Sequence, residues 1–264
     1  MTASLSVLGC AARLGWADFR ATYTWRVWLF GWVFRLLAQA AFYGTAGRYL
    51  GSAASERYVV VGNCVAVIVL ESLIVVVRVA DERAGGTLPL LVAAPAGHLL
   101  VYLGRGVACV ATGFVTSTAA LTVVPAILGV GIEPLEVAAV LPVLFLIGAS
   151  AYCYGCALAA IVVRYGAAQW LVLNAGYIGI LAFCGVNAPT GQWPEGVQTL
   201  AAGLPLTHGL QAIRGYFDGG AAGDLVTGAG AELAVGCGWL AVAVLVLQRM
   251  ADGGRREGSL EFGE

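Results

Sequence analysis

Residues 58–80 read YVVVGNCVAVIVLESLIVVVRVA, and this run decides the class of fold. A helix needs about 20 mostly apolar residues to cross a bilayer, and the run is long enough to do so. The whole chain is 60% hydrophobic and only 11% charged, with a mean hydropathy of +0.86. Soluble domains carry about 25% charged residues. The sequence therefore predicts an all-α integral membrane protein.

The same criterion selects six transmembrane helices, at residues 27–47, 58–80, 99–124, 136–163, 167–187 and 226–249. They form one six-span domain over residues 27–250. Residues 1–26 are predicted to hold an N-terminal amphipathic helix at the membrane interface, because apolar residues recur there at helical spacing and the arginines lie off that stripe. A soluble N-terminal helix is the alternative. Residues 251–264 are polar and are predicted to form a disordered cytoplasmic tail.

An even number of spans places both termini on the same side of the membrane. All 14 basic residues are arginine, and ten of them lie in the termini and the two loops on that side. Only Arg48, Arg57 and Arg214 lie on the opposite side, and Arg35 lies within the first span. Positive residues concentrate in cytoplasmic loops. We therefore predict a multi-pass protein of the bacterial cytoplasmic (inner) membrane with both termini in the cytoplasm; the abundance of Ala, Gly and Val indicates a bacterial genome rich in G and C.

We single out two charged residues deep in the predicted spans, Arg35 and Glu71, because charges there are costly and usually face the interior of the bundle. Arg35 and Glu71 are each about eight residues, or about 12 Å, from the cytoplasmic end of their helix. We therefore predict that they form an ion pair. Gln39, Asn63 and Asn174 are further polar residues within the membrane. These five side chains either lock neighbouring helices together or line a substrate pathway, and the sequence leaves both roles open.

Between the second and third spans, residues 81–95 read DERAGGTLPLLVAAP. The glycine pair permits a sharp turn. Thr87 can cap a helix that begins at Leu88 and ends at Pro95. The pattern predicts a short cytoplasmic helix parallel to the membrane, preceded by charges suited to a soluble partner. An ordinary loop whose charges set the topology is the alternative.

The external segment between the fifth and sixth spans, residues 188–225, contains two moderately apolar stretches. Each is too short to cross the membrane, so the pattern predicts a pair of re-entrant helices whose irregular backbone is shielded by protein. Pro205, His208 and Arg214 belong to the second stretch. A lone histidine in such a place is more often a cap or a packing residue than a ligand.

The composition excludes several kinds of site. A P-loop requires G-x-x-x-x-G-K-[ST], and the chain has no lysine, so any ATP hydrolysis must occur in a separate subunit. With only two histidines, His98 and His208, and no paired ligand spacing, we predict no catalytic residue, no metal site and no cofactor bound by this chain. Cys153-x-x-Cys156 lies in an apolar span without a second pair, which indicates packing. The net charge of −1 gives no indication of nucleic-acid binding.

The loop after the second span resembles the E-R-x-x-G-T-L-x-x-L-L-x-A-P signature of ABC-2 type transporter permeases. The residues that carry the likeness are Glu82-Arg83, Gly86-Thr87-Leu88, Leu91, Ala94-Pro95 and, further on, Gly104-Arg105. Pro205 to His208 and Ala212 to Arg214 resemble the second recurring region of that family. Pro89 departs from the pattern, since an acidic residue is common there. The likeness extends over roughly residues 5–250 and implies six spans with an interfacial N-terminal helix.

The resemblance implies a permease subunit of a bacterial ABC exporter, similar to those for daunorubicin and multidrug resistance. Two permease copies, identical or related, would pair with two ATPase subunits that bind ATP and Mg. The short cytoplasmic helix would couple the ATPases to alternating access, through Glu82, Arg83, Gly86, Thr87, Leu88, Leu91 and Pro95. The expected cargo is a hydrophobic or amphipathic drug, antibiotic or secondary metabolite. The alternatives are export of a lipid-linked glycan, a non-transporting scaffold or sensor partner, and an intramembrane enzyme.

Overall fold

The computed structural model describes residues 2–22, 24–49, 52–86, 98–165 and 168–257. Every regular element in these ranges is a helix, as predicted for the class of fold. The α-helices are α1 (Thr2–Thr22), α2 (Phe34–Tyr49), α3 (Ala53–Leu73), α4 (Val75–Ala84), α5 (His98–Leu128), α6 (Pro134–Tyr165), α7 (Gln169–Phe183), α8 (Glu195–Ala202), α9 (Thr207–Phe217) and α10 (Ala222–Glu257). A π-helical segment (Val27–Val33) precedes α2, and a 3-10 turn (Thr190–Gln192) precedes α8.

Helix α3 forms the centre of the bundle. Its residues 59–73 are all buried, and it packs against α2, α5 and α6. Ile68 lies between Gly113 of α5 and Gly148 of α6, where a Cβ atom on either glycine would come within 3.1 Å of the isoleucine side chain. Small residues allow helices in a membrane to approach closely. The glycines therefore let a branched side chain of α3 fill the space between its neighbours.

A tight turn at Ile74 separates α3 from α4. The amide of Ile74 donates to the carbonyl of Glu71 at 3.3 Å, three residues back, and the amide of Val77 donates to the carbonyl of Ile74 at 3.0 Å. These bonds shorten the usual spacing of an α-helix. The regular backbone ladder is thus interrupted beside Glu71, within the apolar stretch Ala53–Ala84.

The structure supports a multi-pass membrane protein, because five helices in the described part of the chain are long and apolar enough to cross a bilayer. These candidate spans are Val27–Gly47, Ala53–Ala84, Gly106–Leu128, Pro134–Val162 and Ala222–Val246. The span predicted at residues 167–187 is shorter than expected, since α7 has 15 residues and a length of about 22 Å. A hydrocarbon core is about 30 Å thick. The helix ends in bends at residues 184–188, where Gly185 has a φ of 82°. This fifth span, and with it the total of six, therefore stays a prediction.

Helix α1 packs along α5. Its buried positions are the small residues Ala11 and Gly15, whereas Leu14 and Trp16 are 54% and 47% exposed. The apolar stripe that predicts this helix includes Ala12, Trp16 and Phe19, and at Trp16 it lies away from the packed face. Small side chains determine the packed face because they let two helices approach closely. The position of α1 at a membrane interface stays a prediction.

The last helix is longer than the sequence predicts. Helix α10 continues to Glu257, so residues 251–257 are helical where a disordered tail was expected. The helical ladder extends beyond the apolar span because nothing in ADGGRRE blocks it, since this segment contains no proline. Residues 258–264 lie outside the described part of the chain.

The loops meet at two opposite ends of the bundle. Arg57 donates to the carbonyls of Gly131, after α5, and Phe217, at the end of α9. At the other end, Arg83 donates to the carbonyl of Val162 in the last turns of α6, at 3.5 Å. We call these the Arg57 end and the Arg83 end. The topology derived from the arginines predicts that the Arg83 end faces the cytoplasm.

Close packing of α5 on α6 yields a first prediction. A Cβ atom at Gly106 would come within 3.0 Å of three ring carbons of Tyr152, a residue that is 4% exposed. We expect Gly106→Ala to lower the free energy of unfolding by about 1–3 kcal/mol, since a buried ring has little room to move. Unfolding in SDS titrations measures this. Gly179→Ala is the control, because its added methyl would meet nothing within 4 Å. If the clash is responsible, Gly106→Ala will add no further cost in a Tyr152→Ala background.

Candidate functional site

A polar cleft lies near the Arg83 end, between α1, α4, α5 and α6. It encloses about 700 Å³, counted out to its open mouth. The charged and aromatic residues that line it are Asp18, Phe19, Trp28, Glu71, Arg78, Glu82 and Tyr152. The indole nitrogen of Trp28 is buried without a hydrogen-bond partner. The cleft therefore brings carboxylates, a guanidinium and aromatic rings together inside an otherwise apolar bundle.

Glu71 lies at the deep end of this cleft and is only 4% exposed. Its carboxylate accepts hydrogen bonds from the hydroxyls of Thr112 and Thr116, each at 3.3 Å. The threonines are four residues apart and so lie on one face of α5. The i, i+4 spacing of the two threonines is visible in the sequence and could have indicated this polar face. The polar contact between α3 and α5 agrees with a locking role for Glu71.

The residues predicted to lie within the membrane are spread over several places. Arg35 is on an exposed face of α2, and its ion pair with Glu71 stays a prediction. Gln39 donates to the hydroxyl of Tyr177 at 3.4 Å, which joins α2 to α7. Asn174 is exposed and donates to the carbonyl of Trp170 in its own helix at 2.7 Å. Asn63 is at the Arg57 end. These side chains do not gather into one site.

The predicted coupling element is described only at its start. Glu82 lines the cleft, Arg83 contacts α6, and Gly86 follows α4 with a φ of 67°. This left-handed conformation favours glycine, which agrees with the sharp turn that the sequence predicts. The remaining predicted coupling residues, Thr87, Leu88, Leu91 and Pro95, lie outside the described residues.

A second polar cluster closes the Arg57 end of the bundle. It joins Arg57, Tyr58 and Asn63 of α3 to the bends at residues 185–187 and to residues 214–218, and we call it the clasp. Asn63 donates to the side-chain oxygen of Asn187 at 2.9 Å, and the hydroxyl of Tyr58 donates to the carbonyl of Gly185 at 2.7 Å. The clasp therefore attaches the segment after α7 to the start of the central helix.

Arg214 is the centre of the clasp and is 8% exposed. Its Nη1 donates to the carbonyl of Gly185 at 2.6 Å, and its Nη2 donates to the carbonyls of Tyr58 and Val186, each at 2.8 Å. The guanidinium carbon lies 3.4 Å from the centre of the Tyr58 ring, a cation–π contact. Burial lowers the pKa of the guanidinium to about 10, so Arg214 is charged at neutral pH.

Arg57 makes the outer part of the clasp. Besides its bonds to two carbonyls, its Nε lies 3.5 Å from a carboxylate oxygen of Asp218. The Asp218 side chain is 69% exposed, and exposed ion pairs of this kind contribute at most about 1 kcal/mol. Arg57 therefore orients the end of α9 rather than holding it alone.

A buried carboxylate holds the other end of α9. Glu232 of α10 is fully buried, and its two oxygens accept from the amides of Leu206 at 2.9 Å and Gly209 at 3.1 Å. The free amides at a helix N-terminus favour an anion. Leu206 has a φ of 86°, unusual for a residue with a side chain. Glu232 thus caps α9 from a different helix and supports a strained turn.

The other predicted residues of this region are structural neighbours of that cap. Pro205 is buried, and a ring nitrogen of His208 lies 3.0 Å from the carbonyl of Ala202. Trp239 of α10 donates to the carbonyl of Gly203 at 2.8 Å. The turn between α8 and α9 is therefore fastened to α10 by several polar contacts, which agrees with a packing role for the histidine.

Among the described residues, no group of three or more histidine, cysteine, aspartate or glutamate side chains is placed to hold a metal ion.

No family model, no curated protein and no solved structure matches the chain. Any conclusion about function therefore rests on the geometry of the cleft and the clasp and on the resemblance described for the sequence.

Proposed function

We propose that this chain is the permease subunit of an ATP-driven exporter of the ABC-2 type. It moves a hydrophobic or amphipathic compound, such as a drug, an antibiotic or a secondary metabolite, across the bacterial cytoplasmic membrane. A separate ATPase subunit binds ATP and Mg. The observation that carries the proposal is the position of the signature Glu82-Arg83-x-x-Gly86 at the end of α4. Helix α4 continues α3, the most deeply buried helix, so the signature lies at the end of the central span.

A soluble partner bound at the end of α4 can therefore displace the central helix directly. Residues 59–73 of α3 are buried against α2, α5 and α6, and packed interiors transmit displacement because they contain few voids. The turn at Ile74 supplies a point at which α4 moves relative to α3. An ATPase shifts such a chain between two states only if it binds them differently. A docking element at the end of α4 meets that requirement.

The rest of the proposal concerns topology and assembly. Helix α7 and the bends after it form the fifth of six spans, both termini face the cytoplasm, and α8 and α9 are the external re-entrant pair. A second permease copy completes the transport unit. The apolar spans with few charges suit a hydrophobic cargo, while the carboxylates and aromatic rings of the cleft suit an amphipathic one.

Reconstitution with an ATPase tests the function directly. The chain is co-expressed with a candidate P-loop ATPase, taken first from any such gene in the same operon, and purified in lipid nanodiscs and vesicles. We expect a stable complex whose ATP hydrolysis is stimulated by candidate cargo and which moves that cargo. A complex that forms but neither hydrolyses ATP nor moves cargo would favour the scaffold or sensor alternative. Failure of any P-loop ATPase to bind would contradict the proposal.

The two neighbouring glycines provide a matched pair of variants for the coupling element. Gly86 has a φ of 67°, whereas Gly85 has a φ of −79°. An alanine at Gly86 is disfavoured by about 1–2 kcal/mol in that left-handed conformation. We expect Gly86→Ala to reduce cargo-stimulated ATP hydrolysis several-fold and Gly85→Ala to change it much less. Equal activity of both variants in the purified complex would contradict a required turn at Gly86.

A further inference from the structure

The contacts that close the Arg57 end are polar and are centred on a buried charge. The acceptors of Arg214 are the neutral carbonyls of Tyr58, Gly185 and Val186. Neutral acceptors offset only part of the cost of removing a guanidinium from water. If the clasp opens, the guanidinium is hydrated again and that cost is recovered. A clasp of this kind separates more readily than an apolar plug of the same size.

The clasp also covers a buried position. Below Arg214, Gly62 leaves so little room that a Cβ atom there would come within 3.0 Å of Nη2 and of the carbonyl oxygen of Val186. Cys184, next to Gly185, has no exposed surface. Withdrawal of the Arg214 side chain would therefore remove the bridge between α9, the bends after α7 and the start of α3, and leave the Tyr58–Gly185 and Asn63–Asn187 bonds to hold the bends.

We infer that the clasp is a releasable gate at the outer end of the bundle and that Arg214 is the pin that holds it closed. Release of cargo requires Arg214 to leave its three carbonyls, so that residues 185–187 and α9 separate from the start of α3. The gate is inferred from the contacts of the clasp, whereas its place on the outer side and its part in cargo release rest on the proposed export function. Glu232 anchors the N-terminus of α9 to α10, so α9 swings from that anchor.

Native cysteines report the opening without added labels. Cys184 and Cys64 both have no exposed surface, but Cys184 is beside the clasp, whereas the thiol of Cys64, one residue after Asn63, faces α5 and donates to the carbonyl of Ala120 at 3.3 Å. Cys10 is exposed on α1, which is not among the candidate spans, while the exposed Cys237 lies within the candidate span Ala222–Val246. The full chain in nanodiscs is treated with a maleimide, and the rate at each cysteine is followed by peptide mass spectrometry. Of the two buried cysteines, opening of the gate labels Cys184 alone, whereas global unfolding labels Cys184 and Cys64 together. Labelling of Cys10 confirms that the reagent is active.

Arg214→Lys keeps the charge but loses the planar fork that reaches three carbonyls. We expect it to raise the labelling rate of Cys184 by at least about tenfold, since hydrogen bonds to a charged group are lost. Cys64 stays protected. Tyr58→Phe removes only the hydroxyl bond to Gly185 and is expected to raise the rate less, which keeps the test available if Arg214→Lys folds poorly. Arg249→Lys, on an exposed position of α10, is the control and leaves the rate unchanged.

Protection of Cys184 in both clasp variants would overturn the gate, and so would equal labelling of Cys64, which would make Arg214 a purely structural residue. Transport separates this result from the proposed function. Selective labelling of Cys184 in a chain that never moves cargo with its ATPase would support the gate and count against export. Cargo export at the wild-type rate by an Arg214→Lys variant with protected Cys184 would support export and overturn the gate.

Discussion

Replacing Glu232 with leucine is expected to lower the free energy of unfolding by about 2–6 kcal/mol. The carboxylate accepts from the amides of Leu206 and Gly209, and a buried amide without an acceptor costs about 1–3 kcal/mol. The substitution also removes an anion from the N-terminus of α9. In addition, the positive φ of Leu206 loses the bond that supports it. Titration of the purified protein with SDS measures the loss.

Two further variants separate hydrogen bonding from charge. Glu232→Gln keeps one acceptor oxygen but turns an NH₂ group toward an amide donor, so an intermediate loss is expected. Glu195→Gln provides the matched control, because Glu195 is an exposed residue in the first turn of α8, and we expect a change within about 0.5 kcal/mol. A leucine variant as stable as the wild type would show that Glu232 does not cap α9.

The class of fold was accessible from the sequence because it depends on long apolar runs. The run at residues 58–80 predicts the central helix, and the structure confirms a buried helix there. The run at residues 167–187 also meets the criterion of about 20 mostly apolar residues, yet its helix ends at Phe183. A hydropathy pattern does not register a single glycine with positive φ, such as Gly185. The number of spans is therefore harder to predict from hydropathy than the class of fold.

The candidate site was only partly predictable. Arg214 was singled out by its likeness to a family motif, but its acceptors are backbone carbonyls 28, 29 and 156 positions away in sequence. No side-chain pattern encodes such acceptors. Glu232 was overlooked although it is a carboxylate within the apolar span 226–249, the same signal that identified Arg35 and Glu71. Applied to every span, that criterion would have found it.

The largest effect at the clasp is expected from Gly62→Ala. The added Cβ would come within 3.0 Å of Nη2 of Arg214 and of the carbonyl oxygen of Val186. The Arg214 side chain is fixed by its hydrogen bonds and the Val186 oxygen belongs to the backbone, so neither moves without breaking the clasp. We expect a loss of about 3 kcal/mol or more in the free energy of unfolding, from overpacking and displaced hydrogen bonds together.

Gly176→Ala is the appropriate comparison, because its obstacle is of a different kind. Gly176 is also buried in a helix, and an added Cβ would lie 2.6 Å from Cδ1 of Leu158. The end of a leucine side chain can change rotamer, so we expect a loss of about 1 kcal/mol. SDS titration of both variants measures the difference. If Gly62→Ala costs no more than Gly176→Ala, the carbonyls around Arg214 are adjustable, and the clasp is held less tightly than its geometry indicates. A larger cost at Gly62 that persists when Arg214 is also replaced by alanine would assign the clash to the Val186 carbonyl.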